Sequence, residues 1–230
     1  MEWFNFDLLK GYIEKNLNNK QKLQALAENF KVMCNDLHRH KISHGDLQHG
    51  NILVDSQGNI KLIDYDSVCV PDIEGKEELI TGLKGYQHPS RFNSGNKASL
   101  AADYFSELII YLSLYALAEN PQLWYKFNVK NTDVLLFKEE DFANFQQSNI
   151  YKESSNIKSN PINQLLRIYI YCLSKSSYLD LEPFYLYLTV SWYKVNTVTQ
   201  DKNQAVYWFK KAAAQGDAVA QNYLEMMGVR

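Results

Sequence analysis

The sequence predicts a mainly α fold carrying one short β-hairpin, followed by a helical hairpin at the C-terminal end. Three observations predict it. From Gln21 to Lys41 the apolar residues Leu23, Leu26, Phe30, Met33 and Leu37 recur at steps of three and four, which is one face of a helix. In "NILVDSQGNIKLID" the period becomes two: Ile52 and Val54 alternate with polar neighbours, "SQGN" supplies turn residues, and Ile60 and Leu62 alternate again. The terminal "QAVYWFKKAAAQGDAVAQNYLEMMG" is Ala-rich about a central Gly216.

In chain order, Phe6 to Leu17 reads as a short first helix, and the Gln21–Lys41 helix follows it. The β-hairpin runs from about Asn51 to Asp64. Residues 65–100 hold six glycines or prolines and few apolar runs, so they read as an extended loop, and a loop that long is usually functional. Helix returns from Asp103 to Ala118. Its apolar stretch Tyr104–Ala118 carries Glu107 and is short for a bilayer, so a buried helix is the better reading. Residues 126–160 read mostly as loop, and helix resumes at Pro161 and again near Glu182 to Tyr193. At the end, Ala205, Trp208, Phe209, Ala212 and Ala213 make one helical face, and Ala220, Tyr223, Leu224 and Met227 make another. Gln215-Gly216-Asp217 serves as C-cap, turn and N-cap between them.

The 230 residues carry 24 Lys and Arg against 26 Asp and Glu, a net charge of −2, which gives no electrostatic footprint for nucleic acid or an anionic membrane. A hydrophobic share of 46% describes a packed protein rather than a disordered one. Cys34, Cys69 and Cys172 lie far apart with no C-x-x-C, which argues against a disulfide framework or a zinc site and suits a reducing compartment. "MEWFNFDLLK" lacks the order of a signal peptide, and a cytoplasmic location is the expectation.

The chemistry gathers in "HGDLQHGN", His44 to Asn51, and in "IDYD" after the hairpin. A carboxylate on a loop before a hairpin can take a proton from an attacking hydroxyl. An amide oxygen five residues later and a carboxylate after the hairpin can hold magnesium against polyphosphate oxygens. Asp46, Asn51 and Asp64 occupy those positions, and the hairpin brings Asn51 and Asp64 to the same end of two paired strands.

This run resembles the catalytic loop, hairpin and metal-binding turn of the protein kinase superfamily. The resemblance implies Asp46 as catalytic base, Asn51 and Asp64 as ligands of Mg²⁺ on bound ATP, and His44 as the loop histidine, a packed support rather than a base. Tyr65 stands for the aromatic after the metal-binding Asp. "GLKGYQHP", Gly82 to Pro89, is similar to the end of the activation segment. "DYFSEL", Asp103 to Leu108, is similar to the start of the central buried helix, whose Asp braces the catalytic loop; Asp103 is also placed to cap that helix.

There are departures. Gly45 stands for the usual Arg, so a phosphorylated loop would have no Arg there to order against. Gln48 stands for a Lys, Asp66 for the Gly of Asp-Phe-Gly, and Ser90 for the Glu after the final Pro. "HGD" is also the form found in aminoglycoside and choline phosphotransferases, whereas the long Tyr-x-x-Pro segment points to bacterial serine/threonine kinase-like proteins. Only 45 residues precede Asp46, they read as two helices, and no G-x-G-x-x-G occurs. The expectation is a kinase-like large lobe over residues 1–175 without the small lobe that carries the Gly-rich loop and strand lysine.

"AVYWFKKAAAQGDAVAQNYL" is similar to the Sel1-like repeat, a relative of the tetratricopeptide repeat. The match rests on Ala205, Trp208, Phe209, Lys211, Ala212, Ala213, Gly216, Ala220 and Leu224, and the repeat is expected over residues 180–230. The resemblances together imply ATP- and Mg²⁺-dependent phosphoryl transfer to a protein hydroxyl in a complete context and little turnover by this chain alone; a gene remnant or split gene, a partner that supplies the small lobe, and a docking module all stay open. One alternative is a pseudokinase that recruits a protein partner through the lobe or the repeat. The other is a small-molecule phosphotransferase. Among the remaining residues, His49 reads as a loop surface residue, and Gly95-Asn96-Lys97 is not a P-loop because the glycine spacing is wrong.

Overall fold

The computed structural model describes residues 6–189, apart from 79, 80, 94 and 96, together with residue 210. The chain divides into two compact units, Met1–Leu186 and Tyr187–Arg230. The Ala-rich terminal hairpin falls outside the described residues.

The first unit opens with a correction to the sequence reading. Phe6–Leu8 is a strand, β1, and only then does helix α1 run, over Leu9–Asn16. Three residues carry no readable period of two. What makes them a strand is a partner for their backbone groups. Helix α2, Lys20–Arg39, is capped by Asn19, whose side chain accepts from Lys22 N at 3.0 Å. It buries Leu23, Leu26, Ala27, Phe30 and Cys34.

Strands β2, Ile52–Asp55, and β3, Ile60–Leu62, form the expected hairpin, with Ile52 opposite Leu62 and Val54 opposite Ile60. On its other edge β2 pairs antiparallel with β1, Phe6 opposite Asp55 and Leu8 opposite Leu53, which completes a three-stranded sheet in the order β1-β2-β3.

Helix α3, Tyr104–Glu119, is the centre of the unit and packs against α2. From Phe105 to Ala118 it buries every residue except Tyr115, as expected of a helix that is apolar all round. Each fully buried Leu or Ile on it contributes about 1.5–3 kcal/mol relative to exposure. No helix among the described residues is long and apolar enough to cross a membrane.

Beyond α3 come α4, Gln122–Lys126, α5, Glu139–Ala143, α6, Asn149–Ser155, α7, Asn160–Leu173, and α8, Phe184–Thr189. Helix α7 starts with Pro161 in its first turn and packs on α3. Residues 126–160 are mostly loop, as read, but hold two short helices, α5 and α6, that the reading did not place. Helix α6 is capped by Ser148, whose hydroxyl accepts from Tyr151 N at 3.0 Å, and each of the two buries one apolar anchor, Phe142 and Ile150. One or two turns with a single buried apolar residue leave too little periodicity to read.

Candidate functional site

The loop after α2 is fixed from both sides before it presents any chemistry. Ser43 exchanges two backbone hydrogen bonds with Cys69, Ser43 N to Cys69 O at 2.9 Å and Cys69 N to Ser43 O at 2.8 Å. From below, the Asp103 carboxylate accepts from His44 N and from Ser43 Oγ at 3.1 Å through one oxygen, and from Gly45 N at 3.0 Å through the other. Asp103 is 1% exposed, and a carboxylate buried that deeply is sustained by such a set of donors. It stands at the N-cap position of α3, but its side chain makes no capping hydrogen bond. The sequence reading allowed it both roles. The carboxylate is taken up entirely by the loop.

His44 is also buried. Its Nε2–H donates to the Ile63 carbonyl at 2.9 Å, and its ring lies 5.6 Å from that of Tyr65. This ties the loop to the residue immediately before Asp64. Gly45 has a left-handed backbone, φ +81°, and a Cβ there would run into the Ser67 carbonyl oxygen.

Asp46 leaves this braced stretch and meets three donors. Asn51 Nδ2 donates to its backbone oxygen at 2.9 Å and to Oδ2 at 3.1 Å. Gln48 Nε2 donates to Oδ2 at 3.1 Å, and the backbone N–H of Leu83 donates to Oδ1 at 3.2 Å. Asn51 closes the 3-10 turn His49–Asn51, and its carbonyl accepts from Ile63 N at 3.1 Å. The end of the hairpin therefore sets Asn51 beside the strand that runs into Asp64. Asp64 has φ +65°, is exposed, and its carboxylate has no hydrogen bond or ion pair with any described residue.

Asp46 and Asn51 are thus bonded to each other, and Asp64 follows the residue bonded to Asn51, on a loop braced by Asp103 and His44. One amide oxygen and one free carboxylate are hard ligands of the kind magnesium takes, with phosphate oxygens and water completing its shell. The residues fit that ion. No group of three or more His, Cys, Asp or Glu that could hold a metal occurs among the described residues.

Sequence reasoning placed His49 on the loop surface, and the structure corrects it. The ring is half-buried, its Nδ1 lies 2.7 Å from the hydroxyl of fully buried Tyr86, and burial, reinforced by the nearby Lys10 ammonium, pushes it down to about 4. It stays neutral and packs the loop. Leu83 and Gln87 lay within the Gly82–Pro89 segment but were given no role, and Arg91 and Glu78 were missed; Leu83 N–H donates to Asp46, and Gln87 accepts from Arg91, which pairs with Glu78. Gln87 and Arg91 carried a signal in "YQHPSR", polar residues four apart in a segment that closes on a large core. Glu78 carried none.

A family model for the protein kinase domain matches residues 1–178. Over 110 residues the chain is 31% identical to a protein named probable serine/threonine-protein kinase mkcD from Dictyostelium discoideum, an alignment that covers 45% of this chain and 17% of that protein.

Proposed function

The chain belongs to the protein kinase family, and on that premise we propose that its loop–hairpin unit is the catalytic and metal-holding half of a phosphoryl-transfer site acting on a protein hydroxyl. The observation that carries the reading is the double hydrogen bond from Asn51 Nδ2 to Asp46, which leaves Asn51 Oδ1 without a hydrogen bond to any described residue. In this reading Asp46 orients the acceptor hydroxyl and receives its proton. Asn51 Oδ1 and the Asp64 carboxylate hold Mg²⁺. Bound Mg-ATP would supply the transferable phosphoryl group and the charge that neutralises its oxygens. Asp103 and His44 act through the backbone, holding the loop still, because phosphoryl transfer depends on positioning more than on covalent chemistry.

These 230 residues hold no Gly-rich loop, and they are proposed to turn over slowly unless a lobe that carries one is joined to them. A second reading, a docking module, is favoured by the three donors already seated on the Asp46 carboxylate. Calorimetric titration of the full chain with Mg-ATP separates the two. The catalytic reading expects micromolar binding that weakens at least about tenfold in Asp64→Ala and persists in Asp46→Ala. No heat at millimolar nucleotide from a folded chain would remove it and leave the docking module.

A further inference from the structure

Arg91 is fully buried, in the 3-10 turn Pro89–Phe92 within the long loop 65–100. Its Nη2 pairs with Glu78, whose side chain is 7% exposed. Its Nη1 donates to Gln87 Oε1 at 2.6 Å and to the Ala102 carbonyl at 3.2 Å, and its Cζ lies 6.0 Å from the Tyr178 ring centroid. A buried guanidinium and carboxylate are stabilised by such pairing, although Arg91 Nε and Glu78 Oε2 have no hydrogen-bond partner among the described residues. Ser90, where the resemblance expects a Glu, makes other bonds: its hydroxyl accepts from Tyr178 N at 2.8 Å and meets His88 Nδ1 at 2.8 Å. The ion pair therefore closes within the loop itself.

The consequence reaches the site through Gln87. With Oε1 committed to Arg91, the amide turns Nε2 toward Gly82, where it has no hydrogen-bond partner. A Cβ on Gly82 would lie 2.9 Å from Gln87 Nε2 and 2.7 Å from Asp46 Oδ1. Gly82, at φ +78°, is wedged between them, and the next residue donates its N–H to Asp46.

We propose that the buried Glu78–Arg91 pair, acting through Gln87, is the clamp that holds the Gly82–Leu83 turn against Asp46. Arg91 is a positioning residue, and the loop keeps its site-facing shape through its own charges, with no added phosphate. Gly45 agrees with this, since no arginine stands there for a phosphate to engage. The clamp stands whether or not the chain binds nucleotide, so its test is independent of the phosphoryl-transfer reading.

The test is residue-resolved hydrogen exchange on the full chain. The double variant Arg91→Met/Glu78→Gln removes both charges together, and Gln87→Met removes only the relay. The Leu83 amide, and the Tyr86 amide that donates to Leu83 O at 2.9 Å, should exchange at least about tenfold faster in both variants, with α3 amides such as Leu112 within about twofold of the parent. Unchanged Leu83 and Tyr86 exchange would overturn the clamp. So would equal acceleration in α3, which would make the pair a general stabiliser of the unit. If the double variant does not fold, Gln87→Met decides by the same two amides.

Discussion

Gly45 shows how one residue can be set by a neighbour far along the chain. A side chain there meets two costs at once, a left-handed backbone at φ +81° and collision with the Ser67 carbonyl, which is backbone and cannot swing aside. Strain of the first kind costs about 1–3 kcal/mol, and overpacking adds a similar amount. Gly45→Ala should therefore lower unfolding free energy by at least about 2 kcal/mol, read as a lower denaturant midpoint at unchanged slope. An Ala variant with the parental midpoint would show that residues 65–69 can withdraw freely. From sequence, Gly45 registered only as a missing arginine. That Asp46 and Asn51 belong together was legible from their spacing, because five residues of loop can hardly separate them. The reason for Gly45 was not legible, because it depends on where Ser67 lies.

Among the elements, α3 carries the most unusual burden: two carboxylates one turn apart, Asp103 before it and Glu107 within it, in an otherwise apolar segment. Asp103 is satisfied by the loop. Glu107 is fully buried, lies 2.8 Å from His38 Nε2 on α2 through Oε1, and has no partner among the described residues for Oε2. His38 Nδ1 lies 2.7 Å from the Tyr185 hydroxyl on α8, so one side chain of α3 joins three helices. Burial pushes the Glu107 carboxyl up to about 7 against its ordinary 4.5, and the bond to His38 opposes the rise. Between those values the folded chain holds a proton that the unfolded chain has released. Stability from this group is complete below about pH 4.5 and is lost as pH rises through about 7. The melting temperature of the parent should thus fall across that window more steeply than that of Glu107→Gln, which carries no titrating proton. Parallel curves would show that the carboxyl is ionised throughout. The long apolar run made α3 legible, and periodicity made α2 and α7 legible, since each is long enough to repeat a face. It missed β1, α5 and α6, which owe their form to a paired edge or a single anchor, and it read Glu107 only as a charge unsuited to a bilayer.

At the scale of the whole unit, the question is whether the long loop and the helical core open together. The three cysteines sample both. Cys34 sits on α2, Cys172 on α7, and Cys69 in the loop opposite Ser43, all free and buried. Burial pushes the Cys172 thiol up to about 12 and raises Cys34 well above its ordinary value, with Cys69 raised as well, so none is a ready nucleophile in the folded chain. A thiol reagent should therefore react only when structure opens. Cys34 and Cys172 lie in helices that both pack on α3, and they should be modified with a single shared rate, that of global unfolding. Cys69 is held by one two-bond bridge and by the loop's internal clamp, and should react faster through local opening. The Arg91→Met/Glu78→Gln variant should raise the Cys69 rate further while leaving the other two unchanged. Mass spectrometry of the partly labelled chain reads the order directly. Equal rates at all three positions would mean that residues 65–100, for all their lack of regular structure, open only with the core, and that the loop is as much a part of the folding unit as the helix it crosses.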